Sequence, residues 1–305
     1  MTLLFTEVAT GAVRGGTSIL FAGLGESVSE RAGVVNLGME GCLLVGALAG
    51  YAIAAETGNA WVGVLGGAAA GAALAAVHAW FVIARRANQL ATGLVVLFLA
   101  LGVTSLFGGS YVQAIVDPIA TAKLPLLGDL PIVGDALFNH DPLTYLSMVA
   151  VPVVWWIVHR SRWGLLLRAT GERIRVVETY GHRVRGIQYT AVISGGALAG
   201  LGGAHLSLAY TLAWFENMVQ GRGFIAVAVV MFAARHPFKV AGGSYLFGAA
   251  LALAPALQAR GYSVNQFALD AFPYVLILVV LVALGRRRAA ESPEGLSSVF
   301  EVSRI

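Results

Sequence analysis

Charge is scarce in this sequence. Only 12% of its 305 residues are Asp, Glu, Lys or Arg, about half the ~25% of an average soluble protein. That is too little to cover a water-exposed surface, which excludes an ordinary soluble domain. Cysteine is nearly absent: Cys42 alone excludes an internal disulfide and any multi-cysteine metal site, and its apolar setting reads as inert packing. Lysine occurs twice, as Lys123 after Ala122 and Lys239 after Phe238. No GxxxxGK[ST] loop can therefore exist, so the chain binds no ATP through one. There is also no CxxC, no HExxH and no Ser/His/Asp or Cys/His arrangement suited to hydrolysis. The opening "MTLLFTEVATGAVRGG" lacks a basic start and contains Glu7, so it reads as mature chain and not as a cleaved signal.

What the chain has is apolar length. Hydrophobic residues make up 58%, and windows of about 20 residues predict helices near 8–25, 38–55, 61–83, 91–109, 142–158, 187–209, 221–234, 240–258 and 270–285. The opening stretch also fits a half-helix or a re-entrant segment. The reading is a polytopic all-α membrane bundle, one domain over 1–290 with a polar tail from 291 to 305.

Arginine sets the orientation. The loop 160–186 holds Arg160, Arg162, Arg168, Arg173, Arg175, Arg183 and Arg185 against Glu172 and Glu178, which the positive-inside rule places in the cytoplasm. Counting helices outward puts Arg85/Arg86, Arg235/Lys239 and Arg286–Arg288 on that side too, and with them the C-terminus. The basic excess is thus a topology signal and does not indicate nucleic acid. On the outer side the loop 110–141, with Pro118, Pro125, Gly128, Pro131 and Gly134, is long for a plain connection and is expected to pack as short helices. In "SGGALAGLGGAHLSL" small residues recur at four-residue spacing (Gly196 and Gly200; Gly195, Ala199 and Gly203), the pattern of close helix contact in a bilayer.

Polar groups at membrane depth are costly unless paired or beside water. In "ERAGVVNLGMEG", Asn36 and Glu40 stand among Gly33, Gly38 and Gly41. Two readings stay open: a broken helix lining a path, or a cytoplasmic turn with Asn36 as helix N-cap and Glu40 in the first turn. His78 and His205 have no ligand partner at metal spacing and read as core. Arg14 either snorkels or pairs with Glu7. Trp214, Phe215, Glu216 and Asn217, then "GRGF" with Phe224, put aromatics, an acid and an Arg at the outer mouth, as an interfacial belt or as a solute or partner site.

Five stretches, in this order, together closely resemble the permease subunits of bacterial ABC importers for nucleosides and related simple sugars: "ERAGVVNLGMEGCLLVGA", "RRANQLATGLVVLFLALGVTSL", "WGLLLRATGERIRVVETYGHRVRGIQYTAVISGGALAGLGGAHLSL", "WFENMVQGRGFIAVAVVMFAARHP" and "GGSYLFGAALALAPALQ". The match covers roughly residues 10–285. The resemblance implies a type II importer fold of about 8–10 transmembrane helices in two inverted halves, a multi-pass protein of the bacterial inner membrane. It implies an ATPase subunit that binds ATP and Mg, with no cofactor in this chain, and a coupling helix within "ERIRVVETYGHRV" carrying Glu172, Arg173, Arg175, Glu178, Tyr180 and Gly181. A second, related permease forming a heterodimer, an extracytoplasmic substrate-binding lipoprotein and membrane lipid complete the partners. Asn36, Glu40, Phe215, Glu216, Asn217 and Phe224 become pathway candidates. Gln89 stands where the family commonly has an acid, and Tyr180 and His182 where it has small or aliphatic residues. Nucleosides are the leading cargo, with a simple sugar or a purine-like base as alternative. An ion-coupled secondary transporter, resting on Glu40, Glu26 or Asp270, is the reading from another class. A channel is a third, with no pore-lining repeat to support it.

Overall fold

Apolar residues without charge dictate membrane-length helices, and these form. A computed structural model describes residues 2–123, 128, 134, 137–262 and 265–288. Six helical segments among them are long and apolar enough to cross a bilayer: Met39–Thr57, Ala60–Ala84, Gln89–Tyr111, Pro142–Arg160, Val184–Tyr210 and Pro237–Gln258. We label the helices α1 Thr2–Arg31, α2 Met39–Thr57, α3 Ala60–Ala79, α4 Gln89–Gly108, α5 Pro142–Arg160, α6 Arg162–Glu172, α7 Ile174–Thr179, α8 Val184–His205, α9 Arg222–Phe232, α10 Pro237–Gln258 and α11 Gln266–Arg288. π turns extend α3 through Ala84 and α8 through Tyr210. The chain is an all-α polytopic membrane protein, as its composition predicts.

Two elements differ from the sequence reading. The opening segment is neither half-helix nor re-entrant: α1 runs unbroken for 30 residues. A hydropathy window ends near residue 25 because Glu26 and Glu30 follow, but both acids are buried and bonded within the protein. The run 221–234, by contrast, yields only the 11 residues of α9. At 1.5 Å per residue that is about 16 Å, roughly half of a ~30 Å hydrocarbon core.

α8 is the most enclosed of the six spans and α4 the most outward-facing. Glycine makes that enclosure possible. Gly195 lies against Gly25 of α1, Gly196 against Gly71 of α3, and Gly200 against Gly67 of α3 and Gly46 of α2, each so close that a methyl group would meet backbone. Without a hydrophobic drive between helices in lipid, such backbone proximity is what holds them together. Ile19, Leu20, Leu24, Leu43 and Leu44 fill the core beside this seam.

Three of the basic clusters lie at one end of the bundle. The α3–α4 turn reaches the α1–α2 turn through Gln89, α6 packs on it through Gly171, and Arg235 pairs with Glu30. The backbone of Arg286–Arg288 is helical, while their side chains and the tail 291–305 lie outside the described residues. At the opposite end the loop after α4 holds a 3-10 turn, Gly109–Tyr111, helical residues at Gly134 and Leu137, and a two-residue antiparallel ladder of Ala122–Lys123 with Asn139–His140; Pro125, Pro131 and most of 124–136 lie outside the described residues. Asp141 then caps α5, its carboxylate accepting from the Thr144 N–H at 3.0 Å and the Thr144 hydroxyl at 2.7 Å.

Candidate functional site

Helix α1 stops because Gly33 takes φ +80, with the Val34 N–H bonded to the Ser29 carbonyl and the Gly33 N–H to that of Glu30, a Schellman ending. The next residues are extended and buried, where unpaired backbone groups would be costly. Side chains from four helices pair them. Gln89 accepts from the Val35 N–H at 2.8 Å and donates to the Gly33 carbonyl. Gln188 donates to the Ala32 carbonyl, His78 Nε2 lies 3.2 Å from the Val35 carbonyl, and Glu26 accepts from the Asn36 N–H at 2.8 Å. Asn36 Oδ1 accepts from the Gly38 N–H, and Gly38, not Asn36, is the N-cap of α2.

The Gln89 contacts explain what that residue does in this chain: an acid there could accept from Val35 but would donate to Gly33 only when protonated. Gln89→Leu is expected to cost about 1–3 kcal/mol for each orphaned backbone group and to lower the thermal midpoint in detergent by several degrees. An unchanged midpoint would show that the turn does not depend on this amide.

Glu40 sits in the first turn of α2 and is buried. Its carboxylate reaches the start of α9: Oε1 accepts from the Gly221 N–H at 2.7 Å and Oε2 from the Gly223 N–H at 2.6 Å. These are donors with no partner inside the helix, at its positive end. At the other end of α9, Arg235 Nε meets Glu30 Oε2 at 2.7 Å, and Arg31 Nε donates to the Arg235 carbonyl at 3.3 Å. One short stretch, Glu30 to Glu40, therefore holds both ends of the half-helix.

Between α8 and α9 the chain is irregular. Leu212, Asn217 and Gln220 adopt φ of 56°, 55° and 49°, a left-handed backbone that costs non-glycine residues about 1–3 kcal/mol each. Trp214 anchors this loop, buried against Gly108 of α4, so it is no part of an interfacial belt. Phe215 and Phe224 are 39% and 37% exposed, and Glu216 and Asn217 are exposed. The Glu216 carboxylate accepts from the Ser105 hydroxyl of α4 at 3.3 Å, and the Gln220 carbonyl from the Tyr274 hydroxyl at 2.9 Å. The fold thus gathers Glu40, Phe215, Glu216, Asn217 and Phe224 along α9 and the loop that leads into it. Asn36 stays apart, buried in the α1–α2 turn.

The arginine-rich loop forms a second cluster. Ser161 caps α6 by accepting from the Gly164 N–H at 2.9 Å. α7 is short and projecting: Glu172, Arg173, Arg175, Glu178, Tyr180 and Gly181 are all exposed, and only Val177 turns inward. Gly181 ends it at φ +78, with its N–H on the Glu178 carbonyl and that of His182 on Val177, the same Schellman pattern as in α1. Gly171, just before α7, lies directly against the Arg31 carbonyl and Gly33.

Sequence reading missed several polar contacts because the partners lie far apart in the chain. His205 Nε2 is 3.5 Å from Asp141 Oδ2, so this core histidine does have a carboxylate partner. Burial raises the Asp141 carboxyl, but the bonds from His205 and Thr144 outweigh it and hold the acid well below the usual carboxylate range. Arg14 donates to the Ala209 carbonyl, and it is Arg260 that pairs with Glu7. A cavity of about 610 Å³ lies beside Glu7, Thr10, Arg14, Asn139 and Tyr210, and none of the pathway candidates Asn36, Glu40, Phe215, Glu216, Asn217 and Phe224 lines it.

Residues 8–284 match the family model described as the permease component of the branched-chain amino acid transport system. A Haloferax volcanii protein provisionally named as a glucose ABC transporter permease is 46% identical over 262 residues, 85% of this chain and 78% of that protein. A guanosine ABC transporter permease of Bacillus subtilis is 30% identical over 292 residues, 91% of this chain and 92% of the relative. A nucleoside ABC transporter permease of Lactococcus lactis is 29% identical over 301 residues, 93% of each chain. No solved structure gives a significant match.

Proposed function

The chain belongs to this family of ABC-transporter permease components and is a multi-pass membrane subunit of an importer, and from that premise we propose that its cargo is a neutral nucleoside. The observation that carries the reading is the start of α9. A half-helix N-terminus within the membrane is an anion site by default. Here Glu40 already occupies the Gly221 and Gly223 amides, which disfavours an anionic solute. What the adjoining loop offers instead is Phe215 and Phe224 for stacking and Glu216 and Asn217 for hydrogen bonds. That set suits an uncharged solute with a flat face and hydroxyls, and two relatives covering nearly the whole chain are named for guanosine and nucleosides. A simple sugar is the second reading, favoured by the 46% identical relative named for glucose. An ion-coupled carrier is the less economical alternative, since Glu26 and Glu40 are bonded to backbone amides; the Asp270 side chain lies outside the described residues.

In this proposal the solute passes along Glu40, Phe215, Glu216, Asn217 and Phe224 at the interface with a second, related permease. An extracytoplasmic lipoprotein delivers it. α7 docks on a separate ATPase that binds ATP and Mg, with the arginine-rich end and the C-terminus in the cytoplasm.

The test is uptake of labelled adenosine, uridine, ribose and glucose in cells carrying the whole transporter, with and without this subunit. ATP depletion is expected to abolish adenosine and uridine uptake, and collapse of the proton gradient to spare it. Uptake of glucose or ribose alone would transfer the cargo to the sugar reading. Uptake that survives ATP loss and fails with the gradient would overturn both.

A further inference from the structure

We propose that the α1–α2 turn and α9 form one mechanical unit, carrying movement of the α6–α7 surface to the loop 211–221, with Glu30 as the residue that locks it. This rests on the proposed docking of α7 and goes beyond it by naming the transmission.

The first joint is backbone on backbone. Gly171 of α6 touches the Arg31 carbonyl and Gly33 with no room for a side chain between them, so α6 cannot slide without displacing the turn. The turn does not yield internally, because Gln89, Gln188, His78 and Glu26 pair its backbone. The second joint is the Glu30–Arg235 pair at 2.7 Å, with the glutamate 1% and the arginine 7% exposed. Arg235 lies in a turn that strains two successive non-glycine residues, Ala234 at φ 48° and Arg235 at φ 59°, a conformation that persists only where its surroundings enforce it. α9 then acts as a rod of about 16 Å. Its far end is bonded to Glu40, and the strained loop begins there.

Glu30 touches no proposed solute position and is a positioning residue. Its test therefore uses a ratio, solute imported per ATP hydrolysed, in liposomes holding the complete transporter with its binding protein. Glu30→Gln and Arg235→Gln are each expected to lower that ratio about tenfold, within the usual range of coupling between sites, while binding-protein-stimulated ATPase activity persists. The double variant is expected to fall short of the product of the two single losses, since each single variant already breaks the Glu30–Arg235 contact. Should Glu30→Gln fail to assemble, Glu30→Asp keeps the charge, shortens the reach, and is expected to lower the same ratio. A parallel loss of ATPase activity and uptake would make the pair merely structural and overturn the proposal, as would an unchanged ratio in variants that assemble. If the wild-type transporter hydrolyses ATP without importing any of the four solutes, the functional reading itself fails, and that result is separable because it precedes any variant.

Discussion

Glu40→Ala is expected to reduce uptake to near background while the subunit still inserts into the membrane. Its carboxylate is the acceptor for two N–H groups at the start of α9, Gly221 and Gly223. Alanine leaves both without it, at about 1–3 kcal/mol per orphaned group, and removes a negative charge from the positive end of a helix. The loss falls where the fold has least margin, because Leu212, Asn217 and Gln220 already hold strained left-handed backbone in the loop that ends at this helix. The bundle depends instead on α8 and its glycine contacts with α1, α2 and α3, none of which Glu40 touches. Glu40→Gln keeps one oxygen acceptor and is expected to fall between wild type and alanine. The check is uptake per amount of subunit recovered in membranes. Full uptake by the alanine variant would mean that loop geometry does not govern passage.

Much of this architecture was legible because its causes are local. Apolar runs marked the spans, and small residues four apart in "SGGALAGLGGAHLSL" marked α8 as a packing helix, where Gly196 and Gly200 meet α3 and α2. The rest was hidden because its causes are distant. Glu30 finds Arg235 and Glu40 finds Gly221 and Gly223 nearly two hundred residues or more along the chain, so a turn carrying two acids could be read as either a path or a cap. The structure gives those acids a use that neither reading contained, as anchors for a helix from the other half of the chain. The same distance concealed the contacts of His205 with Asp141, of Arg14 with the Ala209 carbonyl and of Glu7 with Arg260. The brevity of α9 escaped hydropathy for a different reason: a window measures how apolar a run is, not where left-handed residues such as Gln220 and Gly221 end it.

Tyr180→Ala is expected to weaken association with the ATPase by about 30-fold and to abolish most uptake, without loss of the membrane-inserted subunit. Tyr180 is 80% exposed and Val176 45%, on a projecting helix at the arginine-rich end of the bundle. With α7 docked on the ATPase as proposed, Tyr180 is the type of aromatic anchor whose truncation costs about 2 kcal/mol, hence the 30-fold. Gly181→Val is expected to act at the same surface by another route. At φ +78 a β-branched residue is strained, so α7 would lose its Schellman ending and its shape while Tyr180 remained. Val177 faces inward, so Val177→Asp should instead damage the subunit itself and lower its yield. Binding of the purified ATPase to liposomes holding each variant separates these outcomes. If Tyr180→Ala and Gly181→Val both bind the ATPase as wild type does, the docking surface is not α7, and the joint between Gly171 and Arg31 has no stroke to transmit.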